Sequence, residues 1–343
     1  MTAPDFHLSR RRALALTGGL LFAANGAQRV FAQGNGERDS GQASGGGSQQ
    51  GELPVDKMEQ ALGAKGRMHK GVLDITIGRK DIGNVPGPMN VSFSPAFTIH
   101  HDMAFQSIQG GHAMMNGELA LLPHEIDKTI AAIVQNDLTF QAEHQHIIGL
   151  TPQIWHIHFR GRGEPVQLMQ RIKKVLQVTA TPLPQMGGGN KTSPLDHQAL
   201  GRIVGGHAEV GDGGVVTVAV PRKERIRLGG IEVNPLLGVM SHVSFMPIQN
   251  GPQTAQGGGG TNGSGASGGL KAAVVPDYAM LASEVDPLMR VALSHGFQVH
   301  CLYNQETDEH PQLYFSHQLN VGDPEQMAHA VHAALEKTNV EFS

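Results

Sequence analysis

The feature that most constrains this chain is that it matches itself. At a spacing of 159 residues, Glu125-Ile126-Asp127 falls on Glu284-Val285-Asp286, Pro152-Gln153 on Pro311-Gln312, His158 on His317, Gly163 on Gly322 and Pro165 on Pro324, without a gap. Upstream, Leu62-Gly63 matches Leu200-Gly201, and Arg79-Lys80-Asp81 matches Arg222-Lys223-Glu224 after a short insertion. A register held that long is the trace of internal duplication, and 343 residues are enough for two units that each bury a core.

Within each copy the elements read strand, strand, hairpin, helix, strand, strand, helix. In the first copy Ile126, Ile130, Ile133 and Val134 recur at helical spacing, whereas Leu138, Phe140 and Ala142, then Trp155, Ile157 and Phe159, alternate as half-buried strands do. Gly163-Glu164-Pro165 opens a last helix with proline in its first turn, and the second copy repeats this with Asp323 as N-cap before Pro324. The expected fold is α+β: two tandem diverged repeats, each an antiparallel sheet with helices on one face. Each has a ferredoxin-like β-α-β-β-α core plus N-terminal strands, and the two pack as a pseudo-dimer.

Composition sets the boundaries. Ser9-Arg10-Arg11-Arg12 precedes an apolar run, and Val30-Phe31-Ala32 carries small residues where a signal peptidase cuts, so residues 1–32 read as a twin-arginine signal. The run is too short and too glycine-rich to span a bilayer, so no membrane span is expected in the mature form, and no cysteine follows it to carry a lipid anchor. The expected partner of this segment is the twin-arginine export machinery, and the expected location is periplasmic or secreted. Residues 33–53, rich in Gly, Ser and Gln, read as a flexible tether. Repeat 1 then occupies residues 54–180, a linker 181–194, and repeat 2 residues 195–343, with a Gly-rich loop at 251–269.

Formal net charge is −4, and removing residues 1–32 makes it −7, which argues against nucleic acid as a partner. Cys301 is the sole cysteine, so no intramolecular disulfide can form; it reads as a small buried hydrophobe.

The chemistry concentrates in one segment. Glu143-His144-Gln145-His146 ends a strand, and alternation puts His144 and His146 on one face, the face of Leu138, Phe140 and Ala142. The partner strand presents His156 and His158. If the hairpin pairs even positions with even, up to four imidazoles converge, and three suffice for a metal site with an open position. Neutral imidazole suits a divalent ion, zinc first, with copper, iron or nickel as alternatives. In copy two the aligned positions are Tyr303, Gln305 and Phe315, and only His317 survives, so copy two is not expected to hold this site.

Two carboxylates are candidate general bases, Glu118, aligned with Asp277, and Glu143 beside the histidines. Glu125 and Asp127 are better explained by the dipole of their helix. His100-His101-Asp102 lies on a neighbouring strand that can face the cluster, and His112, Met114 and Met115 raise copper handling. No nucleophile elbow, phosphate-cradling loop or dinucleotide fingerprint is present.

Gly117-Glu118-Leu119, Glu125-Ile126-Asp127, Ala142-Glu143-His144-Gln145-His146 and Pro152 to His158 resemble the LppY/LpqO-type lipoprotein family, a tandem domain of unknown function. The resemblance runs from about Val55 to Thr338 and places the family's histidines on His144, His146 and His158. Glu118 stands where the family has aspartate, Glu143 where it has leucine, and His156 where an aromatic residue is usual. The expected function is that of an exported metal-dependent enzyme, hydrolase-like, acting on an unidentified small-molecule or envelope substrate. A non-catalytic envelope binding protein and a copper or zinc carrier are the alternatives.

Overall fold

The computed structural model describes residues 51–187, 191–248 and 270–343. The expected signal, most of the tether and the Gly-rich loop 251–269 lie outside the described residues.

Repeat 1 contains α1 (Val55–Leu62), β1 (Arg67–His69), β2 (Val72–Gly78), β3 (His100–Ile108), β4 (His112–Leu121), α2 (Ile126–Gln135), β5 (Thr139–His144), β6 (Trp155–Gly163) and α3 (Pro165–Leu176). Repeat 2 follows with α4 (His197–Val204), β7 (His207–Val210), β8 (Val216–Val220), β9 (Ser241–Ile248), β10 (Lys271–Met280), α5 (Ala282–Ser294), β11 (Gln298–Val299), β12 (Tyr314–Gly322) and α6 (Pro324–Leu335). The two six-stranded sheets have the same order, β1-β2-β3-β4-β6-β5 and β7-β8-β9-β10-β12-β11. Every pairing in them is antiparallel. In each copy the last long strand is inserted between two that a helix connects, the split β-α-β core. The duplication and the α+β class therefore hold. One detail of the alignment shifts: Gly63 and Gly205 both end their helices in the left-handed conformation, with φ of 84° and 86°. Leu62-Gly63 thus corresponds to Val204-Gly205, not to Leu200-Gly201.

Alternation assigns each sheet two faces. In repeat 1 Leu73, Ile75, Phe105, Met115, Ile157 and Phe159 pack under α1, α2 and α3. In repeat 2 Val218, Val243, Phe245, Val274 and Tyr278 do so under α4, α5 and α6. The opposite faces are closed by exchanged arms. Val85, Phe93, Phe97 and Ile99, from the β2–β3 connection, pack with Ala273, Val275 and Leu319 of the second sheet. Ile226, Leu228, Leu237 and Val239, from the equivalent β8–β9 connection, pack with Val72, Ala104, Ile108 and Met114 of the first. Burying each such side chain is worth roughly 1.5–3 kcal/mol, so the exchange fixes the two repeats to one another.

Each repeat is also braced by a buried ion pair. Arg79 donates to Glu125 at 2.9 and 3.3 Å and to the Ala120 carbonyl at 2.6 Å. Arg222 donates to Glu284 at 2.8 and 3.0 Å and to the Ala279 carbonyl at 2.8 Å. Each carboxylate also accepts a backbone N–H at the start of its helix, from Leu122 or Leu281. Glu125 thus does more than interact with a helix dipole: it joins the end of β2, the end of β4 and α2. Replacing Arg79 with Ala leaves a buried carboxylate without its counter-charge, which costs about 3–5 kcal/mol. Urea unfolding checks this, and a loss below about 1 kcal/mol contradicts the bracing role.

Candidate metal centre

The site forms where the arms leave the two sheet faces in contact with polar groups. In the β5–β6 ladder His144 lies opposite His156 and Ala142 opposite His158, so even positions pair with even. The face is not the one alternation predicts. Phe140 pairs with Phe159 before Ala142 pairs with His158, which leaves Gln141 as an extra residue, a β-bulge that changes the side on which following side chains project. Leu138 and Phe140 therefore join the helix-side core, while His144 faces the other repeat and stacks on Tyr303 with ring centroids 3.7 Å apart. Gln141 donates to Asn116 Oδ1 at 3.1 Å.

Glu118 on β4 is the hub. Its Oε2 lies 3.2 Å from His146 Nε2 and 3.1 Å from His158 Nε2, and its Oε1 is 2.7 Å from His156 Nδ1. Glu118, His144, His146 and His158 each offer a ligand atom, all within 4.8 Å of one another. Nitrogen and oxygen ligands about 2.0–2.1 Å from a tetrahedral ion stand about 3.4 Å apart, so the spacing suits a metal. His144, His146 and His158 are 6%, 7% and 3% exposed. Among the described residues, both ring nitrogens of His144 and Nδ1 of His146 have no hydrogen-bond partner, and His158 Nε2, though near Glu118, is not aimed along a hydrogen-bond direction. Buried imidazole nitrogens left unpaired are costly unless something fills them. This group can hold a metal ion.

Protonation agrees. Burial alone would raise the Glu118 carboxyl, yet the imidazoles of His146, His156 and His158 hold it well below the usual carboxylate range. Burial, reinforced by His146 and His158, holds His144 well below the usual imidazole value, and burial with His146 brings His156 down to about 4. An ionised Glu118 and a neutral His144 are ligands in the state that binds a metal.

The other candidates separate. His156 lies behind Glu118 and orients it, outside the four-residue group. Glu143 is exposed on the face away from His144 and stays apart from the cluster. His101 is structural: its Nδ1 accepts from the Ala120 N–H at 3.1 Å and its Nε2 meets Thr181 Oγ1 at 2.7 Å. Asp102 pairs with Glu118 across β3 and β4 and binds His100 Nε2 at 2.7 Å. His112 is exposed, Met115 sits in the helix-side core and Met114 in the arm core.

Among the described residues repeat 2 has no separate copy of the four-residue group, but its side chains lie against this one. His317 stacks on His146 with centroids 3.8 Å apart, and His144, Cys301 and His317 form a second group whose ligand atoms also lie within 4.8 Å. Cys301 is half-buried rather than a core residue, with Sγ 3.3 Å from His317 Nδ1, and burial pushes its thiol up to about 12. Burial, with the Glu118 charge, raises Asp277 well above its usual value. The survival of His317 and of a carboxylate at position 277 was the only trace of this in the sequence; nothing marked Cys301 or Tyr303.

The sequence model described as "Domain of Unknown Function (DUF1259)" matches residues 56–178 and 264–337, more than half of the chain. The chain belongs to this family. The first DUF1259 match contains Glu118 and all four histidines of the hairpin, and the second contains Asp277, Cys301, Tyr303 and His317, so the centre is assembled from both matched regions. Neither curated proteins nor solved structures give a match. Among the described residues no helix is long and apolar enough to cross a membrane.

His100 provides a pH test beside the centre. Burial disfavours its charged ring, but the Asp102 carboxylate outweighs this and raises it to about 9 from 6.5. A raised imidazole stabilises the fold fully below pH 6.5 and loses that contribution as pH rises through about 9. The difference in thermal midpoint between wild type and Asp102→Asn is therefore expected to shrink from pH 6.5 to 9; a difference constant over that window contradicts the pairing.

Proposed function

We propose that this is an exported metal-dependent enzyme, hydrolase-like, in which Glu118, His144, His146 and His158 hold a divalent ion, zinc first among the candidates. The observation that carries the reading is the arrangement around Glu118: three buried imidazoles converge on a carboxylate whose other oxygen is fixed by His156. A bound ion would supply Lewis acidity and activate water near neutral pH. Glu118 remains accessible, with 19% of its side chain exposed, so a small molecule can approach. The twin-arginine signal and periplasmic location expected from residues 1–32, and the likeness to LppY/LpqO-type lipoproteins, belong to this reading. The substrate class is a small molecule or an envelope component.

A metal carrier fits less well, because the imidazoles are almost wholly buried and the two methionines near the hairpin pack elsewhere. A carrier must give up its ion, which favours exposed, soft ligands.

Protein purified without an affinity-metal step is expected to carry at least one divalent ion per chain by mass spectrometry, and His144→Ala/His146→Ala to carry none. Wild type without metal above background removes the enzyme and carrier readings together and leaves an envelope binding protein. His156→Ala, which removes an orienting residue and not a ligand, is expected to weaken metal affinity about 10–100-fold without abolishing binding. Titration with a competing chelator measures this, and abolished binding in a folded variant would make His156 a ligand.

A further inference from the structure

We infer that the centre accepts a second metal ion, held by Cys301 and His317 of repeat 2 together with His144 of repeat 1. The inference rests on the reading above, that the first ion is held around Glu118, and adds a thiolate-ligated position across the repeat boundary.

The distances favour it. Cys301 Sγ and His317 Nδ1 are 3.3 Å apart. Ligands at the usual zinc distances, about 2.3 Å for sulfur and 2.0–2.1 Å for nitrogen, stand about 3.6 Å apart on a tetrahedral ion. An ion between them needs little movement. Holding Nδ1 on the ion points His317 Nε2 toward Asp277 Oδ1, 3.7 Å away, a buried oxygen with no hydrogen-bond partner among the described residues. Closing that gap would complete the carboxylate–histidine–metal relay by which a ligating imidazole is oriented. Asp277 therefore serves His317 as a positioning residue.

His144 joins the two positions. It belongs to both groups of candidate ligands, and both of its ring nitrogens are buried and without a partner among the described residues. An ordinary buried histidine satisfies at least one nitrogen. One nitrogen toward each ion accounts for both orphans. The pseudo-symmetric residue, Tyr303, lies flat against the ring with centroids 3.7 Å apart and fixes its plane.

The proton balance is explicit. Filling the second position deprotonates the Cys301 thiol, and bridging deprotonates the remaining ring N–H of His144, so two protons leave to solvent. The resulting thiolate and imidazolate offset the charge of one divalent ion. A thiolate, an imidazole and an imidazolate are a borderline-soft set suited to zinc or cobalt and unsuited to calcium or magnesium.

Cobalt(II) is the probe. Apo protein, kept reduced and anaerobic, is titrated with cobalt while ion stoichiometry and the near-ultraviolet thiolate-to-cobalt charge-transfer band are followed. Wild type is expected to take up two ions per chain, with the band present at saturation. Cys301→Ser is expected to lose the band and one ion, and His158→Ala to keep the band. Wild type alone is decisive, so a variant that fails to fold does not rescue the idea. A stoichiometry of one without the band overturns the second position and leaves the Glu118 site standing; a stoichiometry of one with the band puts the single ion on Cys301 and overturns the two-ion centre together with the Glu118 site. No cobalt uptake at all overturns both.

Discussion

The structure depends on a half-buried, ionised carboxylate, Glu118, held among histidines between two sheets. Sheet-on-sheet interfaces are ordinarily apolar, and the exchanged arms supply such an interface at either end. Its centre instead holds Glu118, His144, His146, His156 and His158 from one repeat and Asp277, Tyr303 and His317 from the other. Burying so many polar groups is unfavourable unless they are paired, and several of their atoms have no partner among the described residues. A metal ion bound there would convert that liability into a stabilising centre, because binding to the folded state alone adds its free energy to folding.

Duplication explains why, among the described residues, the four-residue group occurs once and not twice. The symmetry-related residues His144 and Tyr303 touch each other, and so do the rings at 146 and 317. The two half-sites therefore overlap across the pseudo-twofold, where a second full set of histidines would crowd the first. The second copy contributes Tyr303, Phe315 and Cys301 instead. The structural brace shows no such divergence: Arg79–Glu125 and Arg222–Glu284 make the same bonds, because each lies within its own repeat and does not meet its counterpart.

What the sequence revealed follows the range of the interactions. The duplication, the alternating strands and the helices opened by Pro165 and Pro324 are local or periodic, and a pattern of residues can carry them. The register of the histidine hairpin was open in the sequence, because either pairing satisfies the same alternation. No pattern carries the bulge at Gln141: one extra residue in a ladder reverses the face of everything after it, and Gln141 carries no mark of it. Glu143 looked like a neighbour of the cluster because adjacent strand residues are close in sequence, yet they point to opposite faces. Cys301 was hardest to see, since its meaning comes from His144 and His317, and His144 arrives from the other repeat.

Everything proposed for this molecule turns on a metal ion among Glu118, His144, His146 and His158. Anomalous diffraction from crystals of protein never exposed to added metal, recorded above and below the absorption edges of the candidate metals, tests it directly. A peak is expected within coordination distance of Glu118 Oε2 and the three imidazoles, appearing at the edge of one transition metal. A well-ordered centre with only water there, in protein that diffracts well enough to show it, would contradict the account and make the histidine cluster a polar interface between the repeats.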